Sequence, residues 1–297
     1  MAVADHSVTD RFRCGLEYFG LGHRIAPFPV RRQARAWTLA DLPPRDGLRI
    51  APPDYIGVGT QKSGTSWWTG LIEQHPDVAT NRFNRKEMHY LTHFLDRPLT
   101  DQDVEAYHAA FARPEGKQCG EWTPNYLAHP YALENLDRLS PAARILVMVR
   151  NPVDRFESGF NHEFKMRFGA MLAPSVRREV IKRYALRAES FWNGMYAAQL
   201  DILFALVEKA RVLVLQYEAC CEEPEKWIAQ TYRFLGLTDS FVPAGIDRKV
   251  NRQRRIVGGL DDQARGLLAT AYRADARRLS EQCPETIDLG LWPQLNE

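Results

Sequence analysis

Short apolar runs alternate with stretches of helical periodicity along most of this chain. Tyr55-Ile56-Gly57-Val58-Gly59, Ile145-Leu146-Val147-Met148-Val149 and Val212-Leu213-Val214-Leu215 are short, rich in β-branched residues and apolar on both sides. Such runs are the mark of strands buried on both faces, as in a parallel sheet. Gly120-Glu121-Trp122 reads as a further short strand. Between these runs the pattern predicts helices over Thr65–Gln74, Asp101–Ala112, Pro130–Leu139 and from Pro152 onward. Further helices are expected over Ser175–Ala185, Glu189–Lys209, Pro224–Leu235 and Asp261–Leu279, with Gly236 closing the third. Val78–Arg85 reads as extended or loop, and Lys86–Phe94 fits neither period. Strand and helix in alternation predict an α/β fold, a three-layer sandwich with a central parallel sheet and right-handed crossovers. Residues 1–53 differ: scattered arginines (Arg24, Arg31, Arg32, Arg35) and prolines suggest an irregular arm before a domain over 54–297.

Bulk composition narrows the function classes. The chain has 297 residues, 45% hydrophobic and 26% charged, with a formal net charge of +2. That is enough length for a large core, and too little positive charge for a nucleic-acid binder. Cys14, Cys119, Cys220, Cys221 and Cys283 form no CxxC pair and no zinc spacing, so free thiols in a reducing compartment are expected. Met1–Asp10 is polar and acidic, unlike a signal peptide, and no apolar run is long enough for a membrane span. The pattern is silent on oligomeric state and compatible with a homo-oligomer.

The most informative segment follows the first strand: Gly59-Thr60-Gln61-Lys62-Ser63-Gly64-Thr65-Ser66-Trp67. A helix start exposes backbone N–H groups and a positive dipole end, which suit an anion. Glycine lets backbone approach a phosphate, Lys62 adds charge, and Thr65 and Ser66 add hydroxyls. Nucleotide kinases need Gly-Lys-Ser/Thr in succession. Here Gln61 precedes Lys62, which argues against an ATP or GTP loop. Arg150 ends a second buried strand, where ligands bind in open α/β sheets. A guanidinium there can take a phosphate bidentately, and Ser158 lies about two turns into the following helix.

Lys62-Ser63-Gly64-Thr65-Ser66-Trp67 resembles the 5′-phosphosulfate loop of sulfotransferases that use 3′-phosphoadenosine 5′-phosphosulfate (PAPS). Arg150-x-Pro-x-x-Arg-x-x-Ser158 resembles that family's 3′-phosphate segment. The resemblance implies a P-loop NTPase-like sulfotransferase fold and PAPS as donor, with no metal. It assigns Lys62 to the leaving phosphate, Ser63, Gly64, Thr65 and Ser66 to the phosphosulfate, and Arg150 and Ser158 to the 3′-phosphate. Trp67 matches a position that stacks on adenine, with a core tryptophan as the equal alternative. Tyr217, in Gln216-Tyr217-Glu218, matches a residue that touches the adenine or serves structure. Arg252 and Arg254 sit where the family has a basic loop over the nucleotide, though the usual Lys/Arg-Gly pair is missing. Arg155 reads as structural, paired with Asp154 or Glu157, with a place in the site lining as the alternative.

An acceptor hydroxyl or amine needs a base. Lys86-Glu87-Met88-His89-Tyr90-Leu91 resembles a segment of heparan sulfate 3-O-sulfotransferases whose Glu is the proposed base. Glu87 is therefore the first candidate and His89 the second. On an extended backbone the two face one side, and burial should raise the Glu87 pKa toward a useful range. Gly120-Glu121-Trp122-Thr123-Pro124-Asn125-Tyr126 resembles the family's acceptor-side segment with Trp122 in place of a Lys. That Trp could face a sugar or aromatic acceptor, or be core. The implied partner is a small-molecule, lipid or glycan acceptor. Animal Golgi members carry a membrane anchor; lacking such a segment, the chain is expected to be a cytoplasmic, bacterial enzyme. Two other readings stand beside this one: a small-metabolite kinase, and a non-catalytic nucleotide-binding protein on the same fold.

Overall fold

A computed structural model describes residues 36–42, 47–168, 184, 188–247 and 260–296. Its centre is a five-stranded, wholly parallel sheet. The strands are β1 (Tyr55–Gly59), β2 (Val78–Ala79), β3 (Gln118–Trp122), β4 (Arg144–Val149) and β5 (Val212–Gln216). Their order across the sheet is β2-β3-β1-β4-β5. Successive side chains of β4 point to opposite faces, which divides the core in two. Ile145, Val147 and Val149 join one cluster with Ile56 and Val58, while Leu146 and Met148 join another with Tyr55 and Trp122. Both faces are therefore sealed by helices, as the apolar strands require.

One face carries α1 (Thr65–Ile72) and, from later in the chain, the amphipathic helix Pro224–Leu235 through Trp227, Ile228, Tyr232 and Leu235. The other face carries Asp101–Ala110, Tyr196–Leu206 and Asp262–Gln282. Caps explain several boundaries. Thr100 and Asp103 form a reciprocal capping box at Asp101, and Gly236 ends Pro224–Leu235 at φ 76°.

The structure departs from the sequence pattern in places where tertiary contacts override it. The expected Glu189–Lys209 helix is two helices, Ala188–Trp192 and Tyr196–Leu206, separated at Asn193-Gly194. Helix Asp262–Gln282 holds the break: Tyr272 donates to the Phe191 carbonyl, and Asp275 accepts from the amides of Ala197 and Ala198. Pro130–Leu139 is likewise two short helices, Pro130–Leu133 and Leu136–Leu139. Of the N-terminal arm, Trp37 packs on Phe83, Tyr90 and Tyr107, and Arg49 bridges to Arg113. The expected helix over 175–185 falls largely outside the described residues.

Parallel strands put all their carboxyl ends on one edge of the sheet. The turn after β1, Arg150 after β4, and Tyr217 after β5 therefore converge there. Two glycines make the convergence tight. A Cβ on Gly57 would fall 2.1 Å from Cγ of Trp122, and one on Gly64 (φ 89°) would fall 2.4 Å from the Tyr217 ring.

Candidate active site

A cavity of about 620 Å³ opens at that edge. Gln61, Lys62, Gly64, Thr65, Ser66 and Trp67 line it from the loop and the start of α1. Arg150, Ser158 and Tyr217 line it from the ends of β4 and β5 and the helix Pro152–Phe168. Glu87 and Pro124 close the remaining side. Nearly all the residues singled out in the sequence thus meet in one place. Ser63 and His89 do not line it: the buried Ser63 hydroxyl turns inward to Oγ1 of Thr60, 2.6 Å away, and His89 instead touches Glu87, 3.3 Å away. Arg252 and Arg254 lie outside the described residues.

The donor wall is positioned by backbone. The amide and hydroxyl of Thr60 both donate to the Met148 carbonyl, which pins the loop to β4. Lys62 stands in the left-handed region at φ 68°, uncommon for a residue with a side chain. Burial lowers its pKa, against the opposing pull of Glu87. Arg150 donates to the Lys62 carbonyl at 3.4 Å, and its guanidinium sits 5.2 Å from the Tyr217 ring centroid. Among the described residues, neither Lys62 nor Arg150 has a carboxylate within salt-bridge distance. Trp67 is only 4% exposed, and its buried indole N–H has no partner. Arg155 does not pair with Asp154 or Glu157, as its sequence neighbourhood suggested. Arg265 takes both carboxylates, and Arg155 donates to the Ser190 carbonyl instead.

The acceptor wall is positioned by side chains. Residues 86–89 lie beside the end of β3: the Trp122 amide donates to the Lys86 carbonyl. The Met88 amide donates to the hydroxyl of Thr123 and to the carboxylate of Glu121. Glu121 is fully buried and accepts also from Thr123, Tyr107 and Tyr126. Burial raises its pKa, and these donors oppose that rise. Sequence reasoning missed Glu121, because a carboxylate in a strand carries no mark of the hydroxyls that the fold will bring to it.

Glu87 corrects two expectations. Burial does push its pKa up, but hydrogen bonds and charge from His89 and Lys86 outweigh it and bring the carboxyl down to about 2. The expected rise does not occur, because the two neighbouring cations stabilise the anion. Nor is the segment extended: His89 is left-handed at φ 54° and starts a 3₁₀ turn. Glu87 and His89 still meet, with Nε2 3.3 Å from Oε2. The hydrogen bond to Glu87 raises the His89 pKa. Trp122 is core: it is fully buried and donates to the Gly59 carbonyl. Among the described residues, no three His, Cys, Asp or Glu side chains gather to hold a metal ion, and no helix is long and apolar enough to cross a membrane.

A loop and helix start of the kind that suits an anion, beside an arginine at a neighbouring strand end that has no carboxylate partner among the described residues, sit together at one edge of a parallel α/β sheet. The family model described as "Sulfotransferase domain" matches residues 52–252, and the chain belongs to that family of group-transfer enzymes. It is similar to "Heparan sulfate glucosamine 3-O-sulfotransferase 6" of Mus musculus, 26% identical over 71% of this chain and 62% of that protein. It is also similar to "Bifunctional heparan sulfate N-deacetylase/N-sulfotransferase 1" of Homo sapiens, 24% identical over 63% of this chain and 22% of that protein. The chain thus spans less than two thirds of the length of these relatives. The crystal structure of a sulfotransferase from Alicyclobacillus acidocaldarius superposes with a TM-score of 0.62 at 23% identity, covering 82% of this chain and all of that one. That likeness supports the same α/β fold.

Proposed function

We propose that the chain transfers a sulfuryl group from PAPS to a hydroxyl or amine of a small-molecule, lipid or glycan acceptor, leaving 3′-phosphoadenosine 5′-phosphate (PAP). The observation that carries this reading is one cavity holding two cations that, among the described residues, have no carboxylate within salt-bridge distance. Lys62 stands at the helix start and Arg150 at a strand end. A donor with phosphate groups at both ends of one nucleoside needs such a pair. Arg150 and Ser158 take the 3′-phosphate. Lys62 and the amides and hydroxyls at Gly64, Thr65 and Ser66 take the phosphosulfate, and Trp67 and Tyr217 flank the base. Arg252 and Arg254 remain candidates to close over the nucleotide.

In the reaction the bond from sulfur to the 5′-phosphate oxygen breaks and a bond from sulfur to the acceptor atom forms. The acceptor proton leaves. Lys62, its proton loosened by burial, neutralises charge growing on the leaving phosphate. Glu87 takes the acceptor proton. A carboxylate with a pKa near 2 is a weak base. It suffices if transfer resembles the loose transition state of phosphoryl transfer, where the proton leaves only after the new bond has begun to form. His89, with Nε2 3.3 Å from Oε2, orients Glu87. Trp122, sealed behind Gly57, offers the acceptor no cation where the family has a Lys, so the acceptor need not be a polyanion.

Thermal unfolding with PAP, with AMP and ATP–magnesium as controls, tests the reading. A ligand that binds only the native state at a hundredfold excess over its Kd adds roughly 2.7 kcal/mol. A selective shift with PAP is expected. A shift with ATP–magnesium alone would turn the reading into a kinase, and none at all would favour a non-catalytic protein.

A further inference from the structure

One side chain ties the two walls of the cavity together. Lys86 Nζ lies 2.8 Å from Oγ1 of Thr65, the first residue of α1, and 3.0 Å from Oε1 of Glu87. Its side chain is 18% exposed, and the Trp122 amide holds its backbone carbonyl at 2.9 Å. Lys86 is thus set by the sheet, not by the loop that follows it.

The chemistry of the three groups fixes the direction of each hydrogen bond. An ammonium has three donors and no acceptor, whereas a hydroxyl has one proton and two lone pairs. Thr65 Oγ1 must therefore accept from Lys86, and its own proton must point elsewhere. Among the described residues no group receives that proton, and Thr65 lines the cavity. The other Glu87 oxygen faces His89, so Lys86 and His89 each hold one oxygen of the carboxylate.

We propose that Lys86 is a positioning residue. It turns the Thr65 hydroxyl proton toward the anion held by the phosphate loop, and at the same time holds Glu87 as an aimed carboxylate. The inference rests on the nucleotide reading above. Its consequence is that donor binding and the state of the base are linked through one ammonium.

The charged surroundings set the signs. Glu87 faces Lys62, Lys86 and His89; Lys86 faces Glu87, Glu73 and Lys62; His89 faces Glu87, Glu121 and His93. Removing the Lys86 ammonium removes a competing donor from Glu87, leaving the carboxylate to His89. The His89 midpoint should then move up.

Two measurements test the proposal. The first is a cycle of PAP affinities by calorimetry for wild type, Lys86→Met, Thr65→Val and the double variant. Each single change is expected to weaken PAP by about three- to tenfold, the worth of one hydrogen bond, and the double variant little further. Factors that multiply, or a Lys86→Met protein that binds PAP like wild type, would overturn the donor half. The second is the His89 ring-proton titration by NMR, assigned by its loss in His89→Gln. An upward shift in Lys86→Met, reversed in Lys86→Arg, is expected; an unmoved midpoint overturns the base half. Should Lys86→Met fail to fold, Lys86→Gln removes the charge while keeping a donor. It is then expected to shift His89 while leaving PAP affinity near wild type. A wild type that binds no PAP refutes the nucleotide reading, and the titration still decides whether Lys86 governs Glu87.

Discussion

The two walls of the cavity are built in opposite ways. The donor wall is made of residues that directly follow strands β1, β4 and β5, so the parallel sheet delivers them to one edge. The acceptor wall, residues 86–89, has no regular structure. It is held by a buried carboxylate, two tyrosines and a threonine. Two carboxylates mark the contrast. Glu121 meets only neutral donors and burial raises its pKa, whereas Glu87, pushed up by burial too, is drawn down to about 2 by its cations. Partners, more than depth, decide the outcome.

If the walls act separately, Glu87→Gln will spare one and silence the other. Turnover, read as PAP released from PAPS with the best acceptor of an alcohol and amine panel, should fall by about 10²–10⁴-fold. PAP affinity should stay within about threefold of wild type, since a Gln keeps the shape of the site. A matching loss of PAP affinity would show that the walls are one unit.

The converse change is Arg150→Ala. Hydrogen bonds to charged groups are worth about 1.5–3 kcal/mol, so the Kd for PAP should rise roughly tenfold to hundredfold. AMP, which lacks the 3′-phosphate, should lose little affinity. Equal losses for PAP and AMP would place Arg150 away from the 3′-phosphate.

Legibility follows the same division. Lys62, Thr65 and Arg150 could be read because a strand, a turn and a helix start are local, and the sheet does the rest. The Glu87–His89 pairing could be suspected from spacing and resemblance, but its geometry could not. The left-handed His89 and the descent of the Glu87 pKa both depend on contacts made by β3 and by Lys86. Ser63 shows the limit even within the motif, since its hydroxyl serves Thr60 and not the cavity. Glu121 stood in a resembling segment, but its role was illegible, because Tyr107, Thr123 and Tyr126 reach it only in the folded chain.

Glu121→Gln probes how far that hidden centre supports the acceptor wall. A Gln amide turns two N–H groups toward partners that are themselves donors. At least one buried donor then goes unsatisfied, at a cost of about 1–3 kcal/mol. Calorimetry should show Tm lowered by roughly 3–8 °C, with PAP still giving its full stabilising shift. Loss of the PAP shift would mean that Glu121 supports both walls.

The smallest effect is expected from His89→Gln, and it asks which cation holds Glu87 down. A carboxyl whose folded pKa lies near 2, against an ordinary 4.5, stabilises the fold above 4.5 and loses that contribution as pH falls toward 2. Glu87 is 39% exposed, so solvent screening keeps the contribution modest. Without His89 the midpoint should rise only part of the way to 4.5, because Lys86 still faces Oε1. The carboxyl-carbon titration of Glu87 reads this directly. Turnover near neutral pH should change only a few-fold, since the carboxylate stays ionised there. A midpoint that climbs the whole way to the ordinary value would assign Glu87 to His89 alone. Lys86 would then belong to the donor wall only, and the link between the two walls would be broken.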